Sequence, residues 1–512
     1  MPHSIFLAFG HLLEIENLLL MLAGVTGGII VGALPGLTAT MAIALLVPFT
    51  FTMNPASGLI TLGAIYCGAI YGGCFSAILI GTPGTPSAIA TVFDGYPMAK
   101  KGEAEQAIVT ATGSSVIGGL IGAAVLLSLS PLLAEAALKF GPPEYFWMAV
   151  FGLTIIATLA SKSILKGLIG GAFGLLLSTV GMSPIAGDVR FSFGLPALQG
   201  GIELMTAMIG FFCIPEVLFM VEERGKSYTL ISYKRQRGVT LSTLAKLVRK
   251  PILLIRSAVI GAIVGIIPGA GGNIAGLVSY NEAVRASKTP EKFGTGIMEG
   301  VAASETSNNS EVGGSLVPLL TLGIPGAPPA AVLLGALLLQ GMRPGAELYT
   351  VHAEITYAFL FSLFVANILM LPIGIFGGKA FARLITIVPV KLLAPTVTFL
   401  CVIGSFAIRN NIMDVAFMLL CGLFGYVGKK LGFHPGPIVL GLILGKICET
   451  GLVQSMLMGK ASGSTWSMFF ARPISLLLIL LCLLSAMWPF IASALKKRGY
   501  FAIDSTGEGN RG

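Results

Sequence analysis

The chain alternates long apolar runs with short polar turns. Stretches of the roughly 20 apolar residues that a helix needs to cross a bilayer core recur from Leu18 to Phe490. No polar stretch long enough for a soluble domain interrupts them. The runs are continuous and lack the inside–outside alternation of barrel strands, so the pattern predicts an all-α, polytopic transmembrane helical bundle. Pro-Gly pairs break several runs partway, which predicts discontinuous helices or re-entrant hairpins.

These breaks recur in order. Val31-Gly32-Ala33-Leu34-Pro35-Gly36 matches Val264-Gly265-Ile266-Ile267-Pro268-Gly269. Further on, Gly72-Gly73, Gly81 and Pro83-Gly84-Thr85-Pro86 match Gly313-Gly314, Gly323 and Pro325-Gly326-Ala327-Pro328 at nearly equal separations. The closing turns correspond as well, Asp94-Gly95-Tyr96-Pro97 against Gln340-Gly341-Met342-Arg343-Pro344. An ordered set of this kind predicts two repeats.

Basic residues orient them. The first 99 residues hold neither Lys nor Arg, whereas Arg224, Lys226, Lys234, Arg235, Arg237, Lys246, Arg249 and Lys250 crowd one segment. The positive-inside rule puts that segment in the cytoplasm and the N-terminus outside, and Lys496, Lys497 and Arg498 place the C-terminus inside. Lys100/Lys101, Ser161 to Lys166, Lys379/Arg383 and Lys429/Lys430 mark cytoplasmic turns. The turn after the first motif is uncharged in the first half (Asn54 to Gly58) but carries Arg285, Lys288 and Lys292 in the second; after the second motif, Lys100/Lys101 face a lone Arg343. The halves are therefore expected to be inverted, with Leu18 to Phe51 and Ile252 to Tyr280 as hairpins and four further crossings after each second motif. The expected organisation is membrane repeat one (1–222), a basic cytoplasmic linker (223–250), inverted repeat two (251–470), a C-terminal transmembrane helix (471–498) and a cytoplasmic tail (499–512).

Composition narrows the function. With 55% hydrophobic and 11% charged residues, and a mean hydropathy of +0.89, the chain holds about half the charge a soluble surface carries. The net charge of +9 sits in short loops and reports orientation, so no nucleic-acid partner is implied. Cys67, Cys74, Cys213, Cys401, Cys421, Cys448 and Cys482 lie in or beside apolar runs without a CxxC, as small buried hydrophobes. No Lys or Arg precedes the first apolar run and no clear small-x-small site follows it, unlike a cleavable signal peptide. His3, His11, His352 and His434 are expected at segment ends near the surface. Gly225-Lys226-Ser227 echoes the end of a P-loop, but Met220 stands where the first glycine belongs and strand context is missing, so no ATP site is read. No catalytic set is visible.

Candidate chemistry sits at the breaks. Backbone groups freed in lipid must be satisfied by protein, water or ligand, and a helix N-terminus carries partial positive charge. Pro35, Gly36, Thr38 and Thr40, with Pro268, Gly269, Gly272 and Asn273, form one such pair of sites; Pro83, Gly84 and Thr85, with Pro325 and Gly326, form another. A carboxylate fits them without a buried Lys or Arg, while half-helix C-termini and unwound carbonyls suit Na⁺. A polar run, Ser304-Glu305-Thr306-Ser307-Asn308-Asn309-Ser310-Glu311, precedes the Gly313-Gly314 motif. Ser304, Glu305, Asn308 and Asn309 are candidate ion or substrate ligands if it lies at membrane depth; the alternative is a solvated cytoplasmic loop continuing from Lys292. Tyr71 reads as a ligand contact or an interhelical hydrogen bond. Glu203 and Glu216 either line a path or, for Glu216, sit at the interface beside Glu222 and Glu223.

These motifs resemble the large membrane subunit of the tripartite tricarboxylate transporter family (TctA type). The resemblance runs through essentially the whole chain and is most specific at Gly32 to Thr40, Tyr71-Gly72-Gly73 through Pro86, Asp94 to Met98, and Asn308-Asn309 through Gly326. Ser304-Glu305-Thr306-Ser307 is more hydroxyl-rich than the Pro-Glu-small pattern expected there. The resemblance implies a bacterial inner-membrane protein that takes up carboxylates with an ion gradient, Na⁺ or H⁺, together with a small membrane subunit (TctB type) and a periplasmic solute-binding protein (TctC type). It also implies a moving element built from the Pro-Gly regions. No cofactor is expected beyond Na⁺ as a candidate coupling ion. A channel built on inverted re-entrant loops is the competing reading, and a membrane-embedded enzyme the remoter one.

Overall fold

The structure is a computed structural model that describes residues 2–159, 163–222, 231, 233, 238–269, 271–388 and 390–497. Arg224, Lys226, Lys234, Arg235, Arg237, the P-loop-like Gly225-Lys226-Ser227, Ser161 and the tail beyond Lys497 lie outside these. Helices α1 (Pro2–Leu13), α2 (Ile15–Ala33), α3 (Ala39–Thr50), α4 (Pro55–Ile80), α5 (Ile89–Lys100) and α6 (Ala104–Ala137) are followed by α7 (Pro142–Leu159), α8 (Ile164–Ser178) and α9 (Leu204–Glu222). After α10 (Val239–Val248) come α11 (Pro251–Ile266), α12 (Gly271–Arg285), α13 (Met298–Leu322), α14 (Pro328–Leu339), α15 (Ala346–Thr350) and α16 (Ala353–Ile387). The last helices are α17 (Val390–Arg409), α18 (Ile412–Lys430), α19 (Pro435–Ala461), α20 (Thr465–Phe470) and α21 (Pro473–Lys497). Two-residue strands, Gly181–Met182 and Val189–Arg190, pair antiparallel between α8 and α9. Eight helices among the described residues are long and apolar enough to cross a membrane, which makes this an all-α polytopic bundle. Helix α1 precedes the first apolar run read from the sequence.

Two helices, α4 and α13, form the centre. Every residue of α4 after Pro55 is buried, as is the whole polar run of α13. The solvated-loop alternative for residues 304–311 is therefore excluded. Small residues make this burial possible by letting backbones touch. Gly28 and Gly32 of α2 lie against the α4 backbone at Ile65 and Ala69, and Gly68 and Gly72 answer from α4 at Val25 and Ile29. Around α13, Gly261 and Gly265 of α11 meet the backbone of Ser307 and Glu311, while Gly118 and Gly122 of α6 meet that of Thr306 and Ser310. The hydroxyls of α13 donate outward to these neighbours: Ser310 Oγ to Ala258 O at 2.7 Å and Ser307 Oγ to Ala275 O at 2.9 Å. A polar helix thus reaches the middle of the bundle because its neighbours offer carbonyls.

Both first breaks interrupt a helix: residues 34–38 are unwound between α2 and α3, and residues 267–269 are unwound after α11, before α12 begins at Gly271. Both second breaks begin with a left-handed glycine capping the central helix, Gly81 at φ 70° and Gly323 at φ 72°.

Candidate functional site

Each second break is pinned onto the end of the helix before the first break. Gly84 presses against α2 so closely that a Cβ there would lie 2.1 Å from Gly32 O, and Gly326 stands in the same relation to Gly265 O of α11, also at 2.1 Å. Only glycine permits that approach. Backbone bonds complete the join: Gly84 N donates to Gly73 O at 3.3 Å, Gly326 N to Ser315 O at 3.2 Å, and Gly269 N to Gly326 O at 2.9 Å. The unwound segments are consequently held to one another, and the helices that follow them all start in one place.

That place is a cavity of about 340 Å³. It is lined by Thr38, Ala39 and Thr40 at the start of α3, by Thr85, Pro86 and Ser87 leading into α5, and by Gly269, Gly271, Gly272 and Asn273 at the start of α12. Pro325, Ala327, Pro328 and Pro329 bring the start of α14, and His434, Pro435 and Gly436 the start of α19. The positive ends of five helices therefore converge on one volume, a concentration of partial positive charge suited to an anion; free backbone N–H groups are fewest at α14, which begins Pro328-Pro329, and at α19, where Pro435 and Pro437 carry none and Gly436 N is bonded to His434. Thr38 and His434 are partly engaged as caps, accepting from Met41 N at 3.2 Å and Gly436 N at 3.1 Å. Thr85 Oγ1 is 3.0 Å from Ser87 Oγ.

Of the residues proposed from sequence, Thr38, Thr40, Thr85, Gly269, Gly272, Asn273 and Pro325 line this cavity. Pro35, Gly36, Pro83, Gly84, Pro268 and Gly326 shape the breaks behind it. Gly36 takes a φ of 90° and Gly269 one of 80°.

The polar run of α13 splits in two. Glu305 turns to α5 and α6: Thr91 Oγ1 donates to one carboxylate oxygen, and Ser115 Oγ to the other at 3.0 Å. Asn309 Nδ2 donates to Ser115 Oγ at 2.8 Å, and Ser304 Oγ is 3.2 Å from Thr91 Oγ1. Ser304, Glu305 and Asn309 thus belong to a hydrogen-bonded interhelical cluster with its carboxylate occupied. Further along the helix, Glu311 lines the cavity, and Asn308 lies beside Gly272 with its Oδ1 2.7 Å from where a Cβ would stand.

Sequence reasoning undervalued the rest of the wall. Lys429, read as part of a cytoplasmic turn, lines the cavity in an ion pair with Glu216, for which lining a path is one of the two readings the sequence offers. His434, expected at the surface, stands at the mouth of α19 in the same wall. Tyr66, from the centre of α4, reaches the cavity while its OH lies 3.0 Å from Ser315 Oγ. Tyr71 makes an interhelical bond instead, its OH 2.6 Å from Thr112 Oγ1. Glu203 caps α9, accepting from Thr206 N at 2.6 Å.

A bundle of apolar helices whose interrupted members point their N-termini into a central polar cavity has the build of a solute-handling membrane protein. Residues 18–440 match the tripartite tricarboxylate transporter TctA family, and the chain belongs to that family as its large subunit. It is 36% identical over 498 residues, 96% of its own length and 98% of the other's, to a protein of Agrobacterium vitis described as an uncharacterized 52.8 kDa protein in the TAR-I ttuC' 3'region. A second Agrobacterium vitis protein, described as uncharacterized and in the TAR-II ttuC' 3'region, is 34% identical over 236 residues, 46% of this chain and 96% of that protein. No solved structure matches.

Proposed function

We propose that the chain is the translocating subunit of a binding-protein-dependent secondary transporter that takes up tricarboxylates or related organic acids, driven by a gradient of Na⁺ or H⁺. The observation that carries this reading is the convergence of five helix N-termini and Lys429 on one cavity. Its volume of about 340 Å³ falls among ordinary small-ligand pockets, which run from about 300 to 1,000 Å³. Backbone N–H groups recognise carboxylate oxygens directly, and Lys429 adds a point charge that a substrate carboxylate takes over from Glu216 on entry. Asn273, exposed at the N-terminus of α12, supplies an amide donor.

In this account the two halves are inverted repeats in the bacterial inner membrane, with the N-terminus periplasmic and the C-terminus cytoplasmic. The breaks form the moving element, delivery is by a periplasmic solute-binding protein, and a small membrane subunit completes the complex.

Exchange of labelled citrate across vesicles holding the complete complex tests the site. Lys429→Met and Asn273→Ala are expected to raise the half-saturating citrate concentration tenfold or more, since a charge-assisted hydrogen bond contributes about 1.5–3 kcal/mol. Unchanged half-saturation in both variants would remove the cavity from the transport path. Flux that never saturates would favour a channel.

A further inference from the structure

A second cavity, of about 530 Å³, lies apart from the first, where α10 meets the starts of α6 and α13. Lys246, Arg249 and Lys250 face it from α10 and the turn that follows, Glu103 and Gln106 from the start of α6, and Glu299 from the first turn of α13. Lys250 Nζ is 2.6 Å from Glu299 Oε1. Lys246 and Arg249 are exposed, and among the described residues no ion pair engages them. Two uncommitted cations thus face one further carboxylate, that of Glu103, and the balance attracts an anion.

The surroundings of this cavity are those of a membrane face. Two apolar helices begin beside it, α6 at Ala104 and α11 at Pro251. Ile252, Ile255, Val259 and Ile263 form an exposed stripe along α11, starting two residues after Lys250. Helix α10 is built for the same boundary. Its inner face, Leu244 and Leu247, packs on Gly113 of α6, with Cδ2 atoms 2.9 and 2.8 Å from where a Cβ would stand. Its outer face, Leu241, Ala245 and Val248, falls at i, i+4 and i+7 and is bare, with Leu241 76% and Val248 65% exposed. Lys246 and Arg249 fall on the flank between the two faces and line the cavity. A short helix of this build lies at headgroup depth, with its apolar side among acyl chains and its cations among phosphates.

We propose that this cavity binds the headgroup of an anionic phospholipid, with Arg249 and Lys246 holding the phosphate and the acyl chains lying along Leu241, Val248, Ile252 and Ile255. Arginine suits the role because its planar fork takes two phosphate oxygens at once, and lysine adds a point charge. A free phosphate would engage the same cations and leave the apolar residues bare, so a lipid is the occupant that answers both halves of the surface. Gly296 and Ile297 stand in the same cavity wall and donate their N–H groups to Asp94 of α5. A lipid bound there braces α10 against the end of α13, the central polar helix. The inference is independent of what the carboxylate cavity carries.

The test is thermal unfolding of the full-length chain, purified in detergent, with phosphatidylglycerol or phosphatidylcholine titrated in. Phosphatidylglycerol should raise the melting temperature saturably and phosphatidylcholine should not. The double variant Lys246→Gln, Arg249→Gln alters exposed side chains, so it is expected to fold, and it should raise the half-maximal phosphatidylglycerol concentration by about tenfold, the loss expected for charge-assisted phosphate bonds. The double variant Arg285→Gln, Lys288→Gln removes two exposed charges outside the cavity, at and beyond the end of α12, and should leave that concentration unchanged. Equal responses of the two double variants would overturn the proposal. Equal stabilisation by both lipids would do so as well, leaving acyl contact alone. Inorganic phosphate that reproduces the whole shift at matched concentration would also overturn it, by making the occupant a free anion.

Discussion

Gly84→Ala is the sharpest probe of how the site is assembled. A methyl at position 84 would lie 2.1 Å from Gly32 O and 2.4 Å from Ser76 Oγ. The first obstacle is main chain inside a helix, so the break must withdraw from α2 by roughly 1 Å to restore contact distance, and overpacking of this kind costs about 1–3 kcal/mol. A binding constellation tolerates displacements of only about 0.5 Å, and Thr85, the next residue, lines the cavity. Gly84→Ala should therefore lower the melting temperature of the detergent-solubilised chain and reduce citrate uptake per inserted chain at least tenfold. Gly27→Ala, in α2 with no atom within 4 Å of its would-be Cβ, is the control: it should leave uptake intact and raise helix stability slightly, by up to about 1 kcal/mol. Equal, wild-type behaviour of both variants would refute the argument that the second break is pinned to α2 through glycine.

Other perturbations follow from the same contacts. Asp94 is fully buried and accepts from Gly296 N at 2.8 Å, Ile297 N at 3.0 Å and Tyr280 OH at 2.9 Å; Asp94→Ala strands these donors at about 1–3 kcal/mol each, and should sharply reduce membrane abundance and melting temperature. Tyr71→Phe gives up one interhelical bond to Thr112, worth about 1 kcal/mol, and should transport with unchanged half-saturation; a raised half-saturating concentration would return Tyr71 to the site.

Legibility in the sequence followed the range of the interactions. The four breaks were readable because Pro-Gly acts on its own backbone, and their recurrence in order was readable by comparison alone. Their meeting in one cavity depends on Gly84 against Gly32 and Gly326 against Gly265, contacts between residues whose closeness no local pattern reveals. Lys429 and Lys430 look alike in sequence, yet one turns inward to Glu216 and the other outward to Glu222; packing against α9 decides between them. The run from Ser304 to Glu311 is too polar for a membrane span by composition, and only the glycine faces of α6 and α11 make its burial tenable. Within that run, Glu305 and Glu311 differ by their neighbours. Thr91 and Ser115 answer the first, and no side chain or backbone group among the described residues answers the second.

The central claim, a gradient-driven carboxylate carrier, is tested most directly by uptake of labelled citrate and a panel of other carboxylates into vesicles containing this chain, its small membrane subunit and its binding protein, with and without an imposed Na⁺ or proton gradient. The account predicts saturable accumulation above equilibrium that appears only with the gradient. Equilibration without accumulation, in the presence of a functional binding protein, would contradict it and make the cavity part of a channel.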